Sequence, residues 1–522
     1  MVQATACSLF HTISSPNQFP ESLPVRRRRR YDTFHMARLP GREILSTRCV
    51  FVAIVVVGLF AMAAGSVTDP DVWWHLRTGQ LTLANRAVFH TDPYSFTRAG
   101  EPWINHEWLF DVFLYLLYRA GGWGGLILAF AAITSVSFLL LFVRCAGRPY
   151  IAGVVAIWAA LASIPLWGVR PQMISLLLVS VLLVVRDRAR NHPALWWWMV
   201  PVMLLWVNLH AAYALGIALM ALFLAGEALD IIFGFQTWAA SAPYSWTLSR
   251  ALLACAAVVP LNPYGLKMYG YPVATLRSAA MQRYIAEWFS PNFHQPNYLP
   301  LLLFLLASIV ATAALSRRMR PSGLLLLAVT MVAALHSVRH APIYVLVAAP
   351  LLCEAAQRRV ETRAPFRSAK PTRASLRSVA VPNGALLLVC AIAAAIHVRA
   401  VILRQPQVEA ASFPSTAVSF LHSSAPSRAL FNSYDWGGYL IWKLFPQRVF
   451  IDGRADLYGD TFMEQYSNTY YVTRDWQQSL DRWKIQTVVV PSNAPLLAVL
   501  QSTGGWKTEY SDPQATVLCR LR

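Results

Sequence analysis

The run Val50-Phe51-Val52-Ala53-Ile54-Val55-Val56-Val57-Gly58-Leu59-Phe60-Ala61-Met62-Ala63-Ala64 leads directly into Thr68-Asp69-Pro70-Asp71-Val72-Trp73-Trp74-His75-Leu76-Arg77-Thr78-Gly79. An apolar segment of membrane character is thus followed by two carboxylates, two indoles and an imidazole. Polar groups are costly to hold at a bilayer boundary, so this segment is expected to bind something polar at the membrane surface. What it binds depends on the side it faces and on which other residues reach it.

Composition sets the class. Of 522 residues, 56% are hydrophobic and 13% charged. A soluble globular chain carries about a quarter charged residues, so this one reads as a polytopic membrane protein. The net charge of +20 is concentrated in short clusters between apolar runs. Such clusters set topology and do not form a nucleic-acid footprint. The seven scattered cysteines include no C-x-x-C pair, which points to neither a zinc site nor a disulfide framework.

Apolar runs lie near 50–66, 123–143, 150–168, 171–186, 195–210, 212–234, 250–261, 298–315, 322–338, 341–356 and 382–402. They predict about eleven transmembrane helices over residues 49–402. The short run 250–261 is expected to extend into a neighbouring loop, because a helix needs roughly 20 residues to cross. Basic clusters at Arg26–Arg30, Arg144/Arg148, Arg186–Arg190, Arg317–Arg320 and in the 358–377 loop all fall on one side of an eleven-span arrangement. That side is expected to be cytoplasmic. Residues 1–48 then form a basic cytoplasmic tail without fixed structure, with Met36 as an alternative start. The segment 50–64 also has features of a signal peptide, but with many spans following it reads as an uncleaved anchor. The loop 67–107, residues 262–297 and the segment 403–522 face outward. In 403–522, turn signals such as Trp436-Gly437-Gly438 and Asp452-Gly453-Arg454 alternate with short apolar stretches, predicting a small extracytoplasmic α/β domain.

The outer loops carry the chemistry. Asp69 and Asp71 flank Pro70, and on a helix starting at Asp71 the residue four on, His75, shares its face. Two close carboxylates can ligate a divalent cation, Mg or Mn, or one can act as a general base. The alternative is helix capping at the start of a surface helix. Trp73 and Trp74 read as interfacial-belt residues. Further along come His106 and Glu107 in Asn105-His106-Glu107-Trp108, then Asn208-Leu209-His210, Glu287, and the turn holding Arg339 and His340. Arg170 marks the outer hairpin. Arginines at that depth suit a phosphate head group, or they snorkel to the interface.

These residues resemble the C-type (GT-C) membrane glycosyltransferases, which place acidic residues in the first outer loop where Asp69-Pro70-Asp71 stands here. Many uncharacterised bacterial membrane proteins are similar across Asp71–Arg77, Thr91–Thr97, His106–Leu109 and Leu261–Gly265. Tyr434-Asp435-Trp436-Gly437-Gly438-Tyr439 also looks like the W-W-D-Y-G signature of oligosaccharyltransferases, without the paired tryptophans and with Trp436-Gly437 in place of Tyr-Gly. The resemblance implies a multi-pass plasma (inner) membrane enzyme that moves a sugar from a polyprenyl-phosphate donor to an envelope acceptor. Asp69 and Asp71 would be catalytic, or hold a metal, and His75, Arg170, Glu287, Arg339 and His340 would bind substrate. Two alternatives stand beside it: a transporter or flippase of a lipid-linked substrate, and a non-catalytic envelope protein.

Overall fold

The computed structural model describes residues 45–145, 147, 149–363, 373–424 and 429–521. The expected basic tail, up to residue 44, lies outside these residues, as does much of the basic 358–377 loop. Each of the eleven apolar runs overlaps helix, although 150–168 and 250–261 continue past the helix ends at Leu161 and Ala257. The helices Trp108–Arg144, Tyr213–Ile232, Pro296–Arg318, Val338–Thr362 and Val379–Ser412 are long and apolar enough to cross a membrane, and shorter apolar helices stand beside them. The run at 250–261 starts within Trp238–Ala257, so the helix extends backwards from the run. The last apolar helix continues to Ser412, beyond the boundary expected at 402.

The first loop contains a helix of its own, Val72–Asn85, and not the surface helix that an interfacial reading implies. Val72 and Leu76 pack with Phe110 and Leu114 of the long helix, all four at most 1% exposed. Burying an aliphatic side chain of this size contributes about 1.5–3 kcal/mol. The two helices lie so close that a Cβ on Gly79 would come 2.0 Å from the Asp111 carbonyl oxygen. Trp73 and Trp74 are 1% and 6% exposed, which corrects the expectation of an interfacial belt. They are covered from two sides: Trp73 meets Trp123 of the long helix and Phe413 and Tyr439 of the C-terminal part edge to face, and Trp74 meets Trp103 of the same loop.

The C-terminal unit is built on a four-stranded sheet, β1 (Leu430–Asn432), β2 (Thr487–Pro491), β3 (Trp506–Ser511) and β4 (Ala515–Arg520), in the order β1-β2-β4-β3. β1 and β2 are parallel, with Phe431 opposite Val488, and the other pairs are antiparallel. The β-branched run Thr487-Val488-Val489-Val490 suits a strand buried on both faces. This unit and the membrane helices cluster as one body.

Two motifs noted in the sequence form the joint. Asp92 caps a turn by accepting from the Tyr94 and Ser95 amides at 3.1 and 3.0 Å. The following residues pair with the C-terminal unit, Phe96 N–H donating to the Val449 carbonyl at 3.1 Å and Val449 N–H to that of Tyr94 at 3.0 Å. The glycines of Trp436-Gly437-Gly438 start the helix Gly437–Leu444 and allow close approach. A Cβ on Gly437 would lie 2.1 Å from the Ile451 carbonyl oxygen, and one on Gly438 2.6 Å from that of Pro70. They therefore serve packing and do not form an isolated turn.

Arg454 closes the joint. Buried at 2% exposure, its Nη2 lies 2.8 Å from Asp92 and 2.7 Å from Asp452, and Tyr458 donates to Asp452 at 2.8 Å. Its guanidinium also stacks over Trp103 at 4.5 Å. Removing one member of a buried charge network costs about 3–5 kcal/mol, because the others stay buried without compensation. Arg454→Met is expected to lower the thermal unfolding midpoint of the detergent-solubilised protein well below wild type. An unchanged midpoint would show that the joint does not hold the fold.

Candidate active site

A cavity of about 200 Å³ lies where the first loop, the 170 hairpin, the 262–297 loop, the 339 turn and the C-terminal unit meet. Its walls include Asp69, Asp71, His75, Arg170, Glu287 and Arg339, which are six of the seven residues singled out from sequence. His340 lies outside it, in an adjoining apolar groove that also takes in Arg170 and Arg339. The loops on which these residues sit are thus brought to one face of the protein.

The two loop acids have different surroundings. Asp69 is ion-paired to Arg170 (Nε to Oδ2, 2.8 Å), and Arg170 also pairs with Glu287. Its other oxygen accepts the Asp71 amide at 2.9 Å. Asp71 is the N-cap residue of Val72–Asn85, yet its side chain makes no capping hydrogen bond. It accepts instead from the Trp74 indole N–H at 3.1 Å. Capping therefore does not account for Asp71. On its other side stands Gly453, where a Cβ would come 1.7 Å from Asp71 Oδ1. Burial, reinforced by the Asp69 charge, raises the Asp71 carboxyl to about 7. Arg170 is held above its ordinary value, its burial outweighed by Asp69 and Glu287.

Behind Asp71 lies a layer of imidazoles around Glu107. His106, His75 and His210 approach its carboxylate at 3.0, 3.5 and 3.5 Å. Burial alone would raise Glu107, but these imidazoles, His106 first, hold it down at about 2. His75 sits between two acids, with Nδ1 2.5 Å from Asp111, and Asn105 donates to the far oxygen of Asp111 at 2.8 Å. Burial works against the His75 cation, but the Asp111 hydrogen bond and charge raise it overall. The Trp74 ring lies over His75 with centroids 3.6 Å apart, an arrangement that favours the cation. His210 is the opposite case, pushed down to about 3 by burial. Its Nδ1 meets the Ser175 hydroxyl at 2.7 Å, and Trp206 donates to the same oxygen. With Ser175 donating to Nδ1, the neutral ring turns Nε2–H toward Glu107.

The charged residues also decide what a cation would find. The D-x-D reading expected Asp69 and Asp71 to hold a divalent metal. Asp69 is committed to Arg170, and Asp71 is engaged by Trp74. Among the described residues no group of three or more His, Cys, Asp or Glu side chains is arranged to hold a metal ion. The donor set in this arrangement does not fit a resident divalent cation.

Gln172 and Tyr271 line the cavity without having been singled out from sequence, whereas His210, Glu107 and the segment Asp452–Asp456, which reads as a turn or as a cavity rim, were noted without a role and supply Gly453, Arg454 and Asp456 to the wall. The clustered Asn105-His106-Glu107 and the charges flanking Gly453 were the available signals. Tyr434–Tyr439, the stretch similar to the oligosaccharyltransferase signature, does not line the cavity. Trp436 is buried, with its indole N–H on the Ser412 carbonyl at 3.3 Å.

The helical membrane body, the acid-bearing first loop and the C-terminal sheet unit define a multi-pass membrane protein with the GT-C fold. The archaeal oligosaccharyltransferase AglB from Archaeoglobus fulgidus, in complex with an inhibitory peptide and a dolichol-phosphate, superposes with a TM-score of 0.53 at 12% identity, over 85% of this chain and 69% of that one. The same organism's oligosaccharyltransferase tethered to an acceptor peptide gives 0.54 at 12% identity, over 92% and 75%. ArnT from Cupriavidus metallidurans bound to undecaprenyl phosphate gives 0.49 at 15% identity, over 90% and 97%. No protein-family model and no curated protein sequence matches the chain.

His75 and Asp71 are electrostatically linked, since the imidazolium lowers the Asp71 carboxyl. In His75→Gln that help is lost and Asp71 rises further. Any activity that requires ionised Asp71 is then expected to shift its acidic limb to higher pH than in wild type. A pH profile of turnover checks this, and an unshifted limb would separate the two groups.

Proposed function

We propose that this chain is a membrane glycosyltransferase that moves a sugar from a polyprenyl-phosphate donor to an envelope acceptor on the non-cytoplasmic face. One observation carries the reading. A carboxyl brought to about 7 shares a cavity with Arg170, and that cavity is continuous with an apolar groove at whose head stands Arg339. Among the described residues no carboxylate lies within ion-pair distance of Arg339, whose guanidinium rests 4.5 Å from the Trp288 ring centroid. It is a cation available to an anion. An apolar groove ending in such a cation suits a lipid phosphate. The fold likeness to AglB, whose solved complex contains a dolichol-phosphate, supports the same donor class. The basic clusters at the opposite helix ends support an outward-facing site.

In this reading the prenyl chain lies in the groove past His340, with its phosphate at Arg339 and Arg170. Asp71 takes the proton of the acceptor hydroxyl, and that oxygen attacks the anomeric carbon. The bond from the anomeric carbon to the phosphate oxygen breaks, and its electron pair leaves with the polyprenyl phosphate. The charge gained by the leaving phosphate is met by the guanidinium groups, which are fixed before reaction by Glu287, Asp69 and Trp288. A general base works best with a pKa near the operating pH, which is where Asp71 stands, whereas Asp69 is engaged by Arg170.

Loss of a general base costs about 10²–10⁴-fold. Asp71→Asn is expected to lose transfer by that factor in a polyprenyl-phosphate-sugar assay, while inserting and binding undecaprenyl phosphate as wild type does. Wild-type turnover in this variant would sink the assignment. In the wild-type enzyme the rate is expected to rise with pH through about 7, as Asp71 ionises. Arg339→Gln is expected to weaken undecaprenyl phosphate binding about tenfold or more, as one charge-assisted contact to phosphate would. Unchanged binding would remove Arg339 from the donor site.

A further inference from the structure

A second pocket adjoins the cavity, apart from the apolar groove. Between the segment Lys267–Met281 and Ala455–Asp460 lies a basin of about 760 Å³ that shares Trp103, Tyr271, Thr275, Met281, Ala455 and Asp456 with the cavity wall. The threshold is the Tyr271 hydroxyl, which donates to Asp456 Oδ2 at 3.1 Å. Lys267 and Arg277 stand exposed on one bank. The outer bank is fixed by Asp460, which accepts from the Ser278 hydroxyl at 2.6 Å and from the Ala279 and Ala280 amides at 3.0 and 3.1 Å. The apolar groove and this basin therefore both border the cavity that holds Asp71.

Besides Arg170 Nε, which meets Asp69 as an ion pair outside hydrogen-bond geometry, two buried atoms inside the cavity lack partners among the described residues. Arg454 Nη1 has no acceptor, although its Nη2 and Nε are engaged by Asp92 and Asp452, and Gln172 Oε1 has no donor. A buried polar atom left unpaired costs about 1–3 kcal/mol, so such atoms mark where a ligand or ordered water completes the site. One unmet donor and one unmet acceptor in the same small cavity suit a ligand whose groups both donate and accept. Hydroxyl groups do both.

We propose that the basin is the entry port for a carbohydrate acceptor, whose hydroxyls are taken by Asp456 at the threshold and by Arg454 and Gln172 inside. The assignment rests on the transferase reading and names its acceptor class. A peptide suits these walls less well, because the stretch Tyr434–Tyr439 does not line the cavity and the basin is banked by charges. The Asp452–Asp456 segment thus has two functions: Gly453 leaves room for Asp71, and Arg454 and Asp456 orient what Asp71 deprotonates.

The test uses the full chain in lipid nanodiscs on an array of neutral and acidic oligosaccharides, with a peptide library beside it. Wild type is expected to bind a subset of the glycans. Asp456→Asn is expected to weaken that binding at least tenfold while its affinity for undecaprenyl phosphate changes less than twofold. Independently of that variant's folding, Ala274→Cys places a thiol in the basin, and a bound glycan is expected to protect position 274 from maleimide, read by peptide mass spectrometry. Absence of glycan binding, binding of peptides instead, or unprotected labelling with glycan bound would each overturn the port. These outcomes are distinct from failure of the transferase reading, which is decided by turnover in Asp71→Asn.

Discussion

The buried contact of Arg454 with Asp92 and Asp452 is the constraint on which the site depends. It joins a loop between two membrane helices to a segment more than 350 residues later, and it does so in a place from which water is excluded. A charge network of this kind contributes less to stability than to selecting one arrangement, because any other leaves ions buried and unpaired. The arrangement selected here sets Gly453 against the Asp71 carboxylate and draws Trp73 and Trp74 under the C-terminal unit. The burial that raises Asp71 follows from that docking.

The site then separates two neighbouring acids by environment. Asp69 has a guanidinium at 2.8 Å, whereas Asp71 has an indole N–H, a glycine and the charge of Asp69. One carboxylate is committed to structure and the other is left near neutrality, the condition in which a carboxyl can exchange a proton at physiological pH. Glu107 lies one layer deeper and is ionised for the opposite reason, being surrounded by imidazoles. The position of the arginines gives the cavity its direction, since Arg170 borders both the acids and the apolar groove while Arg454 faces it from the C-terminal unit.

Membrane character, the positions of the apolar runs and the gathering of acids and arginines on one face were legible in the sequence. Each depends on local composition and on the alternation of apolar and basic segments, which act over one helix length. Even there the limits were visible. The helix at 250–261 was displaced toward the N-terminus, and the final helix ran on to Ser412, because polar residues inside a helix do not end it when neighbours satisfy them. His340 was grouped with Arg339 by adjacency, but successive residues in a helical turn point in different directions, and it faces the groove.

What only the tertiary structure decided was the identity of each acid and the membership of the cavity. The spacing Asp69-Pro70-Asp71 left capping, metal binding and base catalysis open, and the partners that choose among them come from residues 170, 287 and 453. Gln172 and Tyr271 could not be found by spacing either, since each matters through what lies across the cavity. The sequence by itself determined a helical membrane protein with its polar chemistry gathered on one face, because hydrophobic periodicity and charge are local properties. The cavity was decided by the fold, because desolvation and charge pairing are properties of what surrounds a residue and not of the residue itself.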